Sequence, residues 1–465
     1  MALTISVSEI VETSSNRLLK KHESWGRVLL GDVATVLNGF AFNSSEFSNA
    51  SGMPLIRIRD VGKDSSETYY QGEHDPRYIV EPGDLLVGMD GDFNCARWRG
   101  PRGILNQRVC KITLKSDIYL PKFLDYTLPG YLKAINDVTS SVTVKHLSSK
   151  SIEEIPLPLP PKEVQQRLVA EIEKQFSRLD EAVANLKRVK ANLKRYKASV
   201  LKAAVEGKLT EDWRKQYPNV ESASKLLERI LAERREKWNG RGKYKEPAKP
   251  DTSNLPLLPE KWTWARLEQL GMTFGGLTKN QKRAKLTKKL PYLRVANVYA
   301  NELRLDEIEH IGVQESELNK LLLRKGDLLV VEGNGSKNQI GRLAIWDGSI
   351  DPCVHQNHLI KVRLVVGLMN KWILFWLLSP VGRHFIEEVS SSTSGLYTLS
   401  VNKVGDLPVI VPSLAEQEQI VAEVERRLSI IEELEAVVQA NLTRADRLRQ
   451  SVLSRAFSGQ LVTAK

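Results

Sequence analysis

One helix ending is written twice in this chain. YKASVLKAAVEGKL (196–209) and LRQSVLSRAFSGQL (448–461) align without a gap at a spacing of 252 residues. The echo extends upstream at the same spacing, from VAEIEKQFSRLDEAVANL (169–186) to VAEVERRLSIIEELEAVV (421–438), and from IEEIPLPLPPKEVQQ (152–166) to VGDLPVIVPSLAEQEQ (404–419). Weaker pairs follow in the same order: PLIRIRDV (54–61) with PYLRVANV (291–298), PGDLLVGMDGD (82–92) with KGDLLVVEGNG (325–335), and LNQRVCKI (105–112) with VHQNHLIKV (354–362). A repeat this long is a tandem duplication of a whole folding unit, so any fold must be built twice.

Each copy has two textures. The first part of each is broken by Gly and Pro and carries short β-rich runs, which predicts a mixed α/β domain. The second is a stretch without Gly or Pro, residues 163–206 and 415–458, ended by Gly207 and Gly459 where a left-handed cap is wanted. At about 1.5 Å per residue each such helix is roughly 65 Å long. Ile172, Phe176, Leu179, Val183, Leu186, Leu193 and Val200 recur at coiled-coil spacing, as do Val424, Leu428, Ile431, Val438, Leu442 and Val452; Lys190, Lys197, Glu435 and Arg449 interrupt the seams. Residues 163–186 hold five acids and three bases, and 187–206 one acid and seven bases; residues 415–438 hold seven acids and two bases, and 439–458 one acid and four bases. Antiparallel pairing sets each acidic start against the other's basic end. Complementing a helix's own macrodipole would need such charges only in the terminal turns. The expected architecture is a pseudo-twofold dumbbell: two α/β domains held by two long antiparallel helices.

The 465 residues exceed one ordinary core. Three cysteines (Cys95, Cys110, Cys353), without metal-ligand spacing, suit a reducing cytoplasm. The N-terminus carries Glu9 and Glu12 among its apolar residues, unlike a signal peptide, and the most apolar stretch, WILFWLLS from Trp372, is too short to span a bilayer. A cytoplasmic location without membrane contact is expected. A net charge of +12 points to a polyanionic partner. Enzyme signatures are missing. GNGSKNQIG (333–341) is not a Walker loop, HQNH (355–358) has no third metal ligand nearby, and DGD (90–92) faces GNG in the other copy, so it reads as a turn.

Two variable domains, each followed by a long helix approached through PLPP…Q or VPSLAEQ and closed by SVLxxAxxGxL, resemble the specificity subunit of type I restriction–modification systems; GKLTEDWRKQYP (207–218) and LPEKW (258–262) resemble that family's link between copies. The resemblance covers nearly the whole chain, with PPKEVQQ in the first copy departing from the usual spelling. It implies an N-terminal segment (1–24), target recognition domain 1 (25–160), a spacer helix (161–207), a linker (208–260), target recognition domain 2 (261–412), a second spacer helix (413–459) and a tail (460–465). It also implies a split double-stranded DNA target, one half-site per domain, and helices that dock two methyltransferase subunits, with restriction subunits completing the complex. No catalysis and no cofactor are expected on this chain; S-adenosylmethionine, ATP and Mg²⁺ would serve the partner subunits. A stand-alone DNA-binding regulator and a structural coiled-coil scaffold are the competing readings.

Phosphate contact needs only positive charge, whereas Arg, Asn and Gln read base edges through bidentate hydrogen bonds. KNQKRAKLTKK (279–289) therefore supplies Lys279, Lys282, Arg283 and Lys285; its counterpart FAFNSSEFSNASG (40–52) has no base. CARWRGPRG (95–103) supplies Arg97, Arg99 and Arg102. Lys337, Asn338 and Gln339, with Ser392, Thr393 and Tyr397 in SSSTSGLYTLS (390–400), are candidates in the second domain, and Thr143 and Lys145 in the matching loop of the first. Gln107 and Gln356 are expected at matching positions, with structural roles.

Overall fold

The computed structural model describes residues 5–139, 145–238, 242–393 and 395–462. Packing divides the chain into two units, Met1–Arg188 with Val438–Lys465, and Val189–Val437. The division cuts both long helices, so each unit joins one head to halves of both helices rather than following the linear boundaries of the repeat.

In the first unit a four-stranded antiparallel sheet runs Ala34–Asn38, Val109–Leu114, Leu85–Gly88, Cys95–Arg97. Its central strands bury both faces by alternation: Leu85, Val87, Cys110 and Ile112 enter one core, Leu86 and Val109 the other. A second sheet runs Phe47–Ser48, Tyr69–Tyr70, Met53–Ile56, Gly103–Leu105, Ile79–Val80. Helix Pro121–Val138 covers the first core with Phe123, Leu128 and Tyr131.

The second unit repeats the plan. Its four-stranded sheet runs Gly271–Phe274, Leu359–Leu364, Leu328–Val331, Leu343–Ile345, the same order and directions. In each head one parallel pair stands beside it, Met53–Ile56 with Gly103–Leu105 and Lys289–Leu293 with Val354–His355. Each chain enters and leaves its head through a two-stranded antiparallel ribbon, Gly26–Leu29 with Pro156–Leu159 and Thr263–Arg266 with Pro408–Val411. The shared GD before the central strand is a turn: Gly83 (φ +99°) and Gly326 (φ +96°) occupy the left-handed region, and the Asp84 and Asp327 carboxylates accept from the backbone N–H of Glu81 (2.9 Å) and Arg324 (2.8 Å).

The long helices span Lys162–Val205 and Leu414–Phe457, one residue from the expected bounds, and Gly207 (φ +72°) and Gly459 (φ +76°) close them. Gln165 and Gln417, both buried, fix the approach to each helix. The Gln165 amide donates to the carbonyls of Ile118 (2.8 Å) and Pro160 (3.0 Å), and that of Gln417 to Pro412 (2.9 Å). Every seam residue named above is buried or half-buried.

Contacts inside the units set the helix direction. In the first unit Arg449 lies over the Phe176 ring at 4.8 Å and pairs with Asp180, and Ile172 shares a core with Val452, Ala456 and Phe457. In the second unit, Thr210 and Arg214, beyond the end of the first helix, bind Glu416 at the start of the second, at 2.7 and 2.5 Å. Advancing along one helix means retreating along the other, so they run antiparallel. The interrupting Arg449 is thus a cross-helix cation between an acidic start and a basic end.

Candidate nucleic-acid interface

Two candidate segments that are distant in sequence meet in the second head. Gly333–Asn334 pairs with Leu396–Thr398, which pairs with Ser391–Thr393, so the loop carrying Lys337, Asn338 and Gln339 stands beside the strands carrying Ser392, Thr393 and Tyr397. Lys337, Asn338, Gln339 and Ser392 are exposed, and Tyr397 is half-buried. Lys337 lies 3.8 Å from Glu387, and the Asn338 side-chain oxygen accepts from the Ser336 hydroxyl at 2.7 Å.

The first head makes the same junction more tightly. Asp90 bridges His146, the backbone N–H of Gly91 donates to the Lys145 carbonyl at 3.1 Å, and that of Leu147 to Met89 at 2.7 Å. Its second-head counterpart is the bond from Leu399 N–H to the Glu332 carbonyl, 2.8 Å. The Lys145 ammonium turns inward to the carbonyl (2.7 Å) and side-chain oxygen (3.0 Å) of Asn136. Thr143 lies outside the described residues.

The basic clusters separate into free and committed charges. Lys282 and Lys285 are exposed and form no ion pair among the described residues. Lys282 lies within a short helix, Gln281–Ala284, and Lys285 just beyond its end; the helix is capped by the Asn280 side chain on the Arg283 N–H (3.0 Å), and Asn43 caps the equivalent turn of the first head, on Ser45 (3.2 Å). Lys279 binds Glu309 at 2.8 Å, and its hydrogen bond holds that carboxyl below the usual range.

Arg283 departs from expectation. Its half-buried guanidinium grips Glu317 through two hydrogen bonds, 2.9 and 2.7 Å, and Glu317 is held below its ordinary pKa by that contact. Arg97 is likewise spent inside its head, on Asp125 (2.7 Å) and the Gly83 carbonyl (2.6 Å). Both fasten the fold, because a guanidinium between a carboxylate and a carbonyl has few donors left for phosphate. Arg102 pairs with Glu81 at 3.0 Å on the surface, and exposed Arg99 donates to the Gly62 carbonyl at 3.0 Å.

The backbone also corrects one pairing between the copies. Phe40 bridges Asn106 and Leu277 bridges Gln356, so Gln356 matches Asn106, and Gln107 matches Asn357. The next turn position, missed in the sequence, carries Arg108 and His358. Both are exposed, and each meets an acid beside the loop junction: Arg108–Asp90 at 3.5 Å and His358–Glu332 at 3.0 Å. The signal was the one-residue offset between the motifs, which hides that a nitrogen-bearing side chain facing an acid recurs there.

The profile described as "Type I restriction modification DNA specificity domain" matches residues 22–195. The type I restriction enzyme EcoBI specificity subunit of Escherichia coli is 34% identical over 468 residues, covering 99% of this chain and 91% of the relative. This chain belongs to the type I restriction–modification specificity subunits. The EcoKI specificity subunit of Escherichia coli strain K12 is 25% identical, covering 95% of this chain and 90% of the relative. A chain from a solved structure, described as the basis of complex assembly and conformational transition of a type I R-M system, has the same fold with a TM-score of 0.61, at 18% identity and covering 95% of this chain and 99% of its own.

Within this specificity subunit the HQNH histidines part company. His355 is buried with Nδ1 3.0 Å from the Leu359 carbonyl oxygen, and burial with nearby Lys361 pushes its pKa down to about 4; His358 faces solvent. Among the described residues no cluster of three or more His, Cys, Asp or Glu is arranged to hold a metal, and no helix is long and apolar enough to cross a membrane.

Proposed function

We propose that this specificity subunit reads a split double-stranded DNA target, one half-site per head, and docks two methyltransferase subunits along its long helices. The observation that carries this is one frame with two different loop sets. The sheets, ribbons, GD turns and helix approaches repeat, whereas the loops meeting at 90–91/145–147 and 333–339/391–398 do not. Conserved framing with divergent exposed loops is what two reading surfaces of different specificity require. Lys282, Lys285 and Arg99 supply phosphate contacts, and Lys337, Asn338, Gln339, Ser392 and Tyr397 face the bases of one half-site, with Arg108 in the other head.

The helices suit a protein partner. Ile430 and Leu434, a turn apart on the second helix, are 46% and 47% exposed. The helices run from one unit into the other and set the length of unread spacer. This chain performs no catalysis: the methyltransferase subunits use S-adenosylmethionine on an extruded adenine, and the restriction subunits use ATP and Mg²⁺.

The test is to co-express the chain with the methyltransferase encoded beside it and map methylated adenines across a test genome. A split motif with one fixed spacer is expected. A stable complex with an active methyltransferase that methylates nothing would leave a scaffold or a stand-alone regulator.

A further inference from the structure

We propose that a cleft in the first unit, between the N-terminal segment, helix Pro121–Val138 and the last turns of the second long helix, binds a carboxylate-rich peptide segment of a partner protein. The cleft measures about 820 Å³. Four cations line it, Arg17, Lys133, Arg447 and Arg455, against one carboxylate, Asp137, which is already 3.0 Å from Lys133. Arg17 and Arg447 form no ion pair among the described residues, and Arg455 reaches only the Gln460 carbonyl at 3.5 Å.

Three guanidinium groups therefore face one space with donors to spare. Arg447, Ser451 and Ser454 follow one another at i,i+4 and i,i+3 spacing on the helix that lines the cleft, and Arg455 comes next, so two hydroxyls lie between two cations. Planar guanidinium forks match carboxylates two bonds at a time, and hydroxyls fill the remaining lone pairs.

Shape selects the occupant. A DNA duplex is a wide convex cylinder, whereas these exposed charges border a cleft of a size that takes a single extended chain or side-chain cluster. The other copy does not repeat the site, since Ala203 stands where Arg455 does and Lys202 where Ser454 does. One such segment binds per chain, and this breaks the pseudo-symmetry of the frame.

The test uses the full-length chain and a fluorescein-labelled octaglutamate peptide, followed by anisotropy. Saturable 1:1 binding is expected, weakened at least tenfold by R447E/R455E and unaffected by K282E/K285E, which changes the net charge equally on the second head. Equal weakening by both pairs would mean unspecific attraction and overturn the proposal. So would displacement of the peptide by a short duplex whose own binding depends on the same arginines, since the cleft would then be a phosphate site. Should the reversal pair fail to fold, Arg17→Gln on the exposed N-terminal segment reads the same contact, with a several-fold loss expected and no change overturning the assignment.

Discussion

Lys282 and Arg283 are neighbours with opposite employments. Lys282 and Lys285, with exposed Lys289 beyond them, carry charge that nothing in the head uses, whereas Arg283 is fastened to Glu317. Replacing the three lysines with alanine should weaken DNA binding for all sequences alike and flatten the slope of log K against log salt by about 2–3, at roughly 0.9 per lost phosphate contact. Arg283→Ala should leave that slope unchanged and destabilise the second head by about 1–3 kcal/mol, because a half-buried carboxylate loses its partner. Salt-dependent binding and urea unfolding separate the two. In the sequence the four cations were indistinguishable, since Glu317 is 34 residues from Arg283 and only the folded sheet joins them.

Among the elements, the long helices were the most legible. An apolar seam without Gly or Pro, and a charge gradient reversed between copies, are local facts that survive folding. The heads were legible as texture only. Their strands are two to six residues long, and the partners that order them lie far along the chain. The departing spelling PPKEVQQ also becomes intelligible. Glu416, buried in the second unit, receives Thr210 (2.7 Å), Arg214 (2.5 Å) and the Trp262 indole (2.7 Å). At matching places the first unit has Val164 and Val462 packed against a core that contains Trp25. The acid and its partners changed together, so each helix approach is self-consistent. Glu416→Ala should cost about 3–5 kcal/mol by stranding Arg214, and adding Arg214→Leu should recover a large part of it, as thermal melts of the single and double variants would show. Further along, Arg426 and then Arg427 hold the Glu423 carboxyl down to about 2 from 4.5. Its folded value is depressed, so its stabilising share is complete above about pH 4.5 and fades as pH falls toward 2. Glu423→Gln should therefore be less stable than the parent at pH 7 and converge with it on acidification.

For the whole molecule, both helices cross from one packing unit into the other, so a change of spacing must be made in both. Adding one heptad after Leu186 and another after Val438 keeps each seam in phase and adds about 10 Å. The accepted DNA spacer should lengthen by about three base pairs, at roughly 34 Å per ten; methylation mapping that returned the original spacer would show that the helices do not set it. The ribbons at the neck of each head bear on inheritance. Because Gly26 pairs with Leu159 and Thr263 with Val411, both strands that connect a head to its frame run side by side, about 4.8 Å apart. A head is therefore a cassette with two adjacent joins, and a single genetic exchange bounded by those ribbons would carry a whole head without touching helix, approach or cap. With one half-site read per head, as proposed above, such an exchange would change what the chain recognises while the frame around it stays the same.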